Sequence, residues 1–482
     1  MSAQPSIYSG ILKQHAGRDP ERLAMKLQLI AGDPFDFFRG TAELFYQTLP
    51  VNALLRDAPR VLTCGDLHLE NFGTFRGGNR LVYFDLNDFD EACIAPLTME
   101  LVRFLASVYA GAKSLKLADE RADHLCELFL ARYAATLAQG KPAWLERSTS
   151  RGMVKQLLVS LKKRRRNTLL NQRTRLRKNG ERALLVDGVK ILEVRREERE
   201  HVRSCLKAYA AKQPHPDFYQ PLDIGRRVAG NGSLGLPRYI VLIEGHGEPD
   251  GHVLLDLKAA NPSALAPHVP GKQPRWHSEG ERVVAIQQVM QAMSPALLAG
   301  VSLHGVSFML KELQPSTDKL DLEGARGRLI SLTEVIEDMA HLTAWAQLRG
   351  GGRFGAALPD ELMKFGARRD WQQDLMRTAR AAAECNHSQW REYRDAYRAA
   401  HGEAAGTESK AGKSAAGVKP ARSASVAKPT ESAARAKPAK SKKESEPDAK
   451  SKFKGKARSK LKDMAKDQAK SKPKAKARRG RG

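Results

Sequence analysis

No stretch of this 482-residue chain approaches the roughly 18 consecutive apolar residues that a bilayer span requires. The opening MSAQPSIYSGILKQHAGR also lacks the charged-then-apolar layout of a secretory signal, so a cytoplasmic location with no membrane partner is expected. Cysteine is sparse. Cys64, Cys93, Cys126, Cys205 and Cys385 are odd in number, widely scattered, and show none of the C-x-x-C spacings of zinc or redox sites. That speaks against a disulfide framework or a structural zinc module and leaves reduced side chains in or near a core. Large apolar residues nearly vanish from 401–482, where Phe453, Leu461 and Met464 stand alone apart from two valines. With so little to bury, ordering entropy is unopposed and the segment is expected to be disordered. It holds 25 lysines and arginines against 8 acidic residues, so most of the formal net charge of +27 lies there. Two readings stay open for this tail: nonspecific nucleic-acid contact through phosphate neutralisation, or simple solubilisation.

What precedes the tail reads as globular, in a chain with 41% hydrophobic residues and the length to bury a large core. After a flexible lead (1–19), ERLAMKLQLIAGDPFDFFRGTAELFYQTL has helical spacing on both sides of an Asp33-Pro34 break, which predicts two helices joined by a turn. Strand-like pieces at 61–63 and 81–84 flank polar loops, with Gly77-Gly78 marking a turn. Met99, Leu101, Val102, Phe104, Leu105, Val108 and Tyr109 then form a helical stripe, and a second helix opens at Asp119. The basic stretch within 151–182 carries leucines at helical spacing; it is either a solvated helix face or a contact for phosphate or nucleic acid. Beyond a helix near 194–211, strand character returns in IGRRVAGNGSLGLPRYIVLIEG and HVLLDLKAANPSAL, on either side of the turn HGEPDG. Helices are predicted at 281–293, 331–349 and 370–398, and a strand at 308–315.

Two constellations carry chemistry. The first is Gly65-Asp66-Leu67-His68-Leu69-Glu70-Asn71, followed after a strand by Asn87-Asp88-Phe89-Asp90-Glu91. Transfer of a γ-phosphoryl group needs a carboxylate to orient and deprotonate the acceptor hydroxyl, and oxygen ligands to hold Mg2+ against the phosphates. A loop Asp, an Asn five residues on and an Asp after the next hairpin supply that set. Asp is common in any turn, but Asp85, Asp88, Asp90 and Glu91 crowd four like charges into seven residues, which repel unless a cation or basic group compensates them.

The second is GNGSLG at 230–235, a literal G-x-G-x-x-G. A dinucleotide site of that pattern opens a helix, whereas here Leu236-Pro237 leads into the strand-like RYIVLI. Strand, glycine loop, strand is the layout that lets backbone amides cover ATP phosphates, which makes Gly230, Gly232, Ser233 and Gly235 the candidate contacts. The next strand delivers Lys258, either a clamp on the α- and β-phosphates or an ordinary surface-strand lysine. The helix after it is expected to offer that lysine an acidic partner; the spacing does not choose among Glu279, Glu281, Gln287 and Gln288, and Glu281 is carried forward. Arg39 and Arg103 either neutralise the acidic cluster, touch phosphate, or make ordinary helix-surface salt bridges.

The first constellation resembles the catalytic loop H-G-D-x-H-x-x-N and the metal strand ending I-D-F/W-E/D of the aminoglycoside phosphotransferase and choline kinase branch of kinase-like enzymes. That resemblance implies Asp66 as catalytic base, Asn71 and Asp88 as Mg2+ ligands, a further metal role for Asp90, and a bracing or catalytic part for His68. The leading His of the branch is Cys64 here, which removes one donor. Ordinary kinases run glycine loop, lysine, helix, catalytic loop, metal Asp, while here Asp66 and Asp88 come first by more than a hundred residues. A circularly permuted fold is therefore expected, since a site needs its groups to converge only in space. This order, with DPFDFFRG (33–40), CGDLHLENFG (64–73), FDLNDFDEA (84–92), GNGSLG and LKAANPS (257–263), resembles one bacterial family, domain of unknown function 2252, over roughly residues 20–400. Ala259-Ala260 departs from it, because an acidic residue is expected there in relatives.

The expected fold is α+β and two-lobed, protein-kinase-like and circularly permuted. A mostly helical large lobe (20–215 and 319–400) would enclose a small antiparallel-sheet lobe (216–318), with the basic tail (401–482) behind. The expected activity is ATP- and Mg2+-dependent transfer of phosphate to a hydroxyl on a small molecule or protein. Nucleotidyl transfer on the same fold is one alternative, and a non-catalytic nucleotide-binding module tethered to nucleic acid by the tail is another.

Overall fold

Pro34 has no amide hydrogen to give to a preceding helical turn, so one helix stops at Gly32 and another starts, with Asp33 accepting from the amides of Phe35 and Asp36 at 2.8 and 3.0 Å. The computed structural model describes residues 6–230, 232–247, 250–303, 305–325 and 328–402, all within one compact unit, Met1–Thr407. Short helices come first: α1 (Ile7–Gln14), α2 (Pro20–Gly32), α3 (Pro34–Gly40), α4 (Ala42–Thr48) and α5 (Ala53–Arg56). The second of the two helices predicted here is thus cut in two at Thr41, whose hydroxyl turns back to the Phe37 carbonyl at 2.7 Å.

Next come β1 (Arg60–Thr63), β2 (Phe72–Arg76), β3 (Val82–Leu86) and β4 (Cys93–Pro96). The pairing is nested: β1 runs antiparallel to β4, with Thr63 opposite Cys93, and within it β2 runs antiparallel to β3, with Phe72 opposite Leu86. The predicted strands at 61–63 and 81–84 are present, and the Gly77-Gly78 turn joins β3 to a strand, β2, that the pattern had given to polar loop. The helices α6 (Leu97–Leu115) and α7 (Asp119–Gln139) follow, then β5 (Leu145–Glu146), α8 (Gly152–Leu161) and α9 (Arg166–Arg173). The basic stretch is helical in those last two and ends in a hairpin of β6 (Thr174–Leu176) and β7 (Arg182–Leu184).

After β8 (Ile191–Leu192) and α10 (Arg196–Ala210), the chain lays down β9 (Pro221–Arg227), β10 (Arg238–Ile243), β11 (Val253–Ala259), α11 (Glu279–Met290), β12 (Ala299–Leu303) and β13 (Val306–Glu312). Together with β8 these strands form one antiparallel sheet in the order β12-β13-β11-β10-β9-β8. Alternation sends Val241, Ile243, Leu255 and Leu257 to the face covered by Val202, Cys205 and Leu206 of α10. On the other face Ile240, Leu242 and Leu254 pack with Leu170 and Leu184, and toward the glycine loop that face turns from apolar to charged. The helices α12 (Leu329–Gly350), α13 (Pro359–Ala367) and α14 (Gln372–Ala400) complete the chain. The largest core lies where α6, α7 and α12 meet; the fully buried rings of Phe104 and Phe129 stack there with centroids 3.9 Å apart.

Mixed α+β structure with antiparallel sheets is therefore what the chain adopts. All five cysteines are free, four of them buried and Cys385 exposed. No described helix is long and apolar enough to cross a membrane. The expectation of disorder for 401–482 lies outside the described residues, His401 and Gly402 excepted. Removing the stacked ring with Phe104→Ala should lower stability by about 3–5 kcal/mol in denaturant titration; a loss under about 1 kcal/mol would contradict this packing.

Candidate active site

Gly65 adopts φ +81°, and a Cβ there would stand 1.9 Å from the Glu91 carbonyl oxygen. The loop 64–71 and the loop 87–92 thus touch backbone to backbone where only glycine fits. Beneath them, the fully buried Glu100 of α6 accepts the amides of Cys64 and Gly65 on Oε1 at 2.7 and 3.3 Å, and Gln347 of α12 on Oε2 at 2.8 Å. Burial raises its carboxyl above the ordinary range. Asn71 stitches the two loops together: Nδ2 donates to the Asp66 and Asp88 carbonyls at 2.8 and 3.2 Å, and Oδ1 accepts the Asp88 amide at 2.8 Å.

Asp66 is anchored through one carboxylate oxygen. Its Oδ1 receives Nε and Nη2 of Arg103, each at 2.9 Å. Arg103 is itself wholly buried, its guanidinium carbon 3.6 Å from the Phe38 ring centroid and 4.5 Å from that of Phe45, with Nη2 also on the Phe38 carbonyl at 2.7 Å. Two aromatic faces and a carbonyl fix the guanidinium, and the guanidinium fixes the carboxylate. On the other side, His68 Nε2 lies 4.0 Å from Asp66 Oδ2. Nδ1 of that ring accepts the Glu70 amide at 3.0 Å, which assigns the proton to Nε2, and burial holds the ring's pKa well below the ordinary histidine value, so it is neutral. Burial raises the Asp66 carboxyl, Arg103 opposes that rise and Asp88 adds to it. Arg39 sits farther out, paired with Glu70 at 2.9 Å and Asp36 at 3.4 Å, and Lys319 reaches the same Glu70 at 3.8 Å.

The sheet brings Lys258 of β11 to the second loop. Its Nζ contacts Asp90 Oδ2 and stands 3.6 Å from Asp88 Oδ1. Lys258 is 6% exposed, whereas the Asp88 side chain, at 56%, is open to solvent. The protein around Asp88 would raise its carboxyl, but Lys258 pulls it down to about 2. Asp90 moves the other way, raised by burial and by the charge of Asp88. Burial works against the ammonium of Lys258, and the two carboxylates more than compensate, leaving its pKa above the ordinary value. Arg238 lies opposite Lys258 on β10 and grips the buried Asp256 with Nε at 2.9 Å and Nη2 at 2.6 Å; Arg227 reaches the same carboxylate at 2.6 Å.

The helix after the lysine strand does not supply its partner. Glu281 caps the start of α11, its Oε2 accepting the His277 amide at 2.6 Å, and Glu279 pairs with Arg282 at 2.5 Å. Arg282, which the sequence pattern did not single out, holds the second loop through the Ala92 carbonyl, the Asp90 carbonyl at 2.8 Å and the Asn261 carbonyl at 2.8 Å. Ser263 of the NPS segment donates to the Glu91 carbonyl at 2.7 Å, and the Ala264 amide meets the Glu91 carboxylate, which burial pushes up to about 7.

The glycine loop joins β9 to β10, with positive φ at Gly230 and Gly235 and an exposed Gly232; Asn231 lies outside the described residues. Ser233 Oγ turns inward to the Ala229 carbonyl at 3.3 Å. The loop's carbonyls are held by the N-terminal segment: from the turn between α1 and α2, Arg18 Nη1 donates to Gly232 and Leu234 at 3.0 and 2.9 Å and the Asp19 amide to Gly235 at 3.0 Å, and from α2 Lys26 Nζ donates to Gly232 at 3.1 Å. Neither Arg18 nor Lys26 was visible as a site residue, because Arg18 falls in the stretch read as a flexible lead, which in fact carries α1, and Lys26 is one more charge on a helical pattern. The structure therefore gathers Asp66, His68, Asn71, Asp88, Asp90 and Lys258 at the two loops, and leaves Glu281 and Arg39 at other tasks. Gly65→Ala would force a β-carbon into the Glu91 carbonyl, so about 2 kcal/mol of destabilisation or more is expected in thermal unfolding. A variant as stable as the parent would mean the loops do not touch there.

No curated protein and no solved structure matches the chain. One family model does, over residues 18–396, a span that takes in both loops, the glycine hairpin and Lys258. The chain belongs to that family, described as an uncharacterized protein conserved in bacteria and designated domain of unknown function 2252.

Proposed function

We propose that this protein transfers the γ-phosphoryl group of ATP, as its Mg2+ complex, to a hydroxyl of a small molecule or protein. The observation that carries the reading is the meeting of Lys258 with Asp88 and Asp90 next to a glycine loop and beside Asp66. A triphosphate and its metal offer the same charges in exchange, anionic oxygens for the lysine and a cation for the carboxylates. Among the described residues no group of three or more His, Cys, Asp or Glu side chains could hold a metal ion alone. Mg2+ fits nonetheless, because it is commonly bound through one or two carboxylates plus substrate phosphates and water, which Asp88 and Asp90 can supply with Asn71 behind them. When bound, the metal would neutralise charge on the phosphates.

The chain's own groups take the following parts. Amides of the loop around Gly230, Gly232, Ser233 and Gly235 cover the phosphates, and Lys258 holds the α- and β-phosphates. Arg103 turns Asp66 so that Oδ2 faces the acceptor; that oxygen takes the hydroxyl proton as the acceptor oxygen attacks phosphorus and ADP departs. The neutral His68 braces the loop through the Glu70 amide and presents Nε2–H toward the same carboxylate. The kinase-like, circularly permuted lobe arrangement belongs to this proposal. It is supported by an antiparallel sheet that carries the glycine hairpin beside the lysine strand with a helix next, all downstream of the loops bearing Asp66 and Asp88. A cytoplasmic setting, and nonspecific nucleic-acid contact through 401–482, are proposed with it.

Phosphate acceptance is best read with ATP labelled separately at the γ- and α-phosphates, offered with pooled metabolites or proteins. γ-Label alone should move to product, and Asp66→Asn should slow that transfer by about 100-fold or more while ATP affinity stays within about threefold. Transfer of α-label would establish nucleotidyl chemistry instead, and full activity in Asp66→Asn would remove the base from the mechanism. Asp88→Asn should weaken Mg2+-ATP binding by about tenfold or more and leave metal-free ATP binding nearly unchanged; equal loss in both conditions would take Asp88 off the metal.

A further inference from the structure

Two lysines are buried among the described residues, Lys258 and, at 2% exposure, Lys26 of α2. Their surroundings differ. Lys258 meets two carboxylates, whereas Lys26 makes no ion pair among the described residues and gives a single hydrogen bond, to the Gly232 carbonyl. An ammonium carries three donors and a full charge, so one carbonyl leaves most of its desolvation uncompensated.

The neighbours make the imbalance larger. Arg18 spends Nη1 on two carbonyls of the same glycine loop, and its positive charge acts against that of Lys26. His15, 7% exposed, has an Nε2 without a hydrogen-bond partner, and it lies within electrostatic reach of both Lys26 and Arg18. On the far side, Asp66 and Glu91 favour the charge on Lys26, and Asp90 and Glu91 that on Arg18, without a direct contact in either case. Basic side chains from the N-terminal segment are thus packed against the underside of the glycine loop, facing the two loops that carry the carboxylates, with donors to spare. Burying that much like charge is unfavourable unless an anion joins it.

We propose that Lys26, assisted by Arg18, binds the terminal phosphate of the nucleotide, a contact that Lys258, given to the α- and β-phosphates, does not provide. This rests on the phosphotransferase reading above. The N-terminal segment is then part of the nucleotide site: it distinguishes a triphosphate from a diphosphate and holds the glycine loop down over the phosphate to be transferred.

The test uses the full chain, with Mg2+-ATP and Mg2+-ADP titrated into wild type, Lys26→Met and Lys26→Arg, and thermal unfolding of each without nucleotide. Lys26→Met should lose about tenfold or more in ATP affinity and stay within about twofold for ADP, with Lys26→Arg recovering part of the difference. Its thermal midpoint should match or exceed that of wild type, because a buried uncompensated charge is gone. Unchanged ATP affinity, or equal loss for ATP and ADP, would overturn the assignment while leaving the phosphotransferase reading intact. A lowered midpoint with an unaltered ATP-to-ADP ratio would also overturn it, in favour of a lysine that merely pins the loop. Wild type that binds neither nucleotide would bring down both.

Discussion

Two loops that begin and end on the same pair of backbone contacts determine the rest of the site. The loop 64–71 leaves β1 at Thr63 and enters β2 at Phe72, while the loop 87–92 leaves β3 at Leu86, opposite Phe72, and enters β4 at Cys93, opposite Thr63. Neither can shift alone. Contact between Gly65 and Glu91 closes the middle, and the Asn71 amide ties the Asp66 carbonyl to the Asp88 backbone. Polar groups in such a double loop must find partners within it or from below, and Glu100 and Tyr46 supply them, Tyr46 through the Gly65 carbonyl at 2.7 Å. Of the carboxylates on the two loops, Asp66 gives one oxygen to Arg103, Asp90 meets Lys258, and Asp88 stays open to solvent.

A second set of contacts joins this platform to the sheet. Arg282 and the Ser263-Ala264 segment hold the backbone of the second loop, so the sheet's charged face meets the carboxylates at a set height. Burial is the main cause that raises the carboxyls of Asp90 and Glu91 and depresses the cations Arg18 and Lys26, with Asp88 adding to the rise of Asp90 and Arg18 to the fall of Lys26. Brought together they compensate only in part, with Lys258 satisfied and Lys26 not. On the proposed phosphotransferase reading, an anion that arrives with its own cation would complete that compensation.

Much of this was legible in the sequence, and the reasons are local. Asp66, Asn71 and Asp88 stand out because their spacing across a loop and the next hairpin goes with an acidic crowding that ordinary turns do not need, and the glycine loop because strand residues flank it on both sides. The core helices α6, α12 and α14 announce themselves by apolar periodicity. What escaped was set by distant pairing. FGTFR becomes β2 only because β3 lies against it and Thr74 bonds to the Ser316 carbonyl at 2.7 Å, which no window of the sequence reveals. Arg39 and Arg103 looked equivalent, yet only Arg103 falls between Phe38 and Phe45 and reaches Asp66. The acidic partner of Lys258 was sought on the following helix, but the helix start needs Glu281 for its own amides, and the partners come from a loop far upstream. Arg18, Lys26 and Arg282 carry no motif; burial marks Lys26 and Arg282, and contact with the glycine loop marks Arg18.

Equilibrium titration of the full chain with ATP, at fixed ionic strength and with Mg2+ either present or chelated, tests the central claim most directly. One site per chain is expected, tighter by about tenfold or more when the metal is present. Absence of ATP binding in either condition, or an affinity indifferent to Mg2+, would contradict the account.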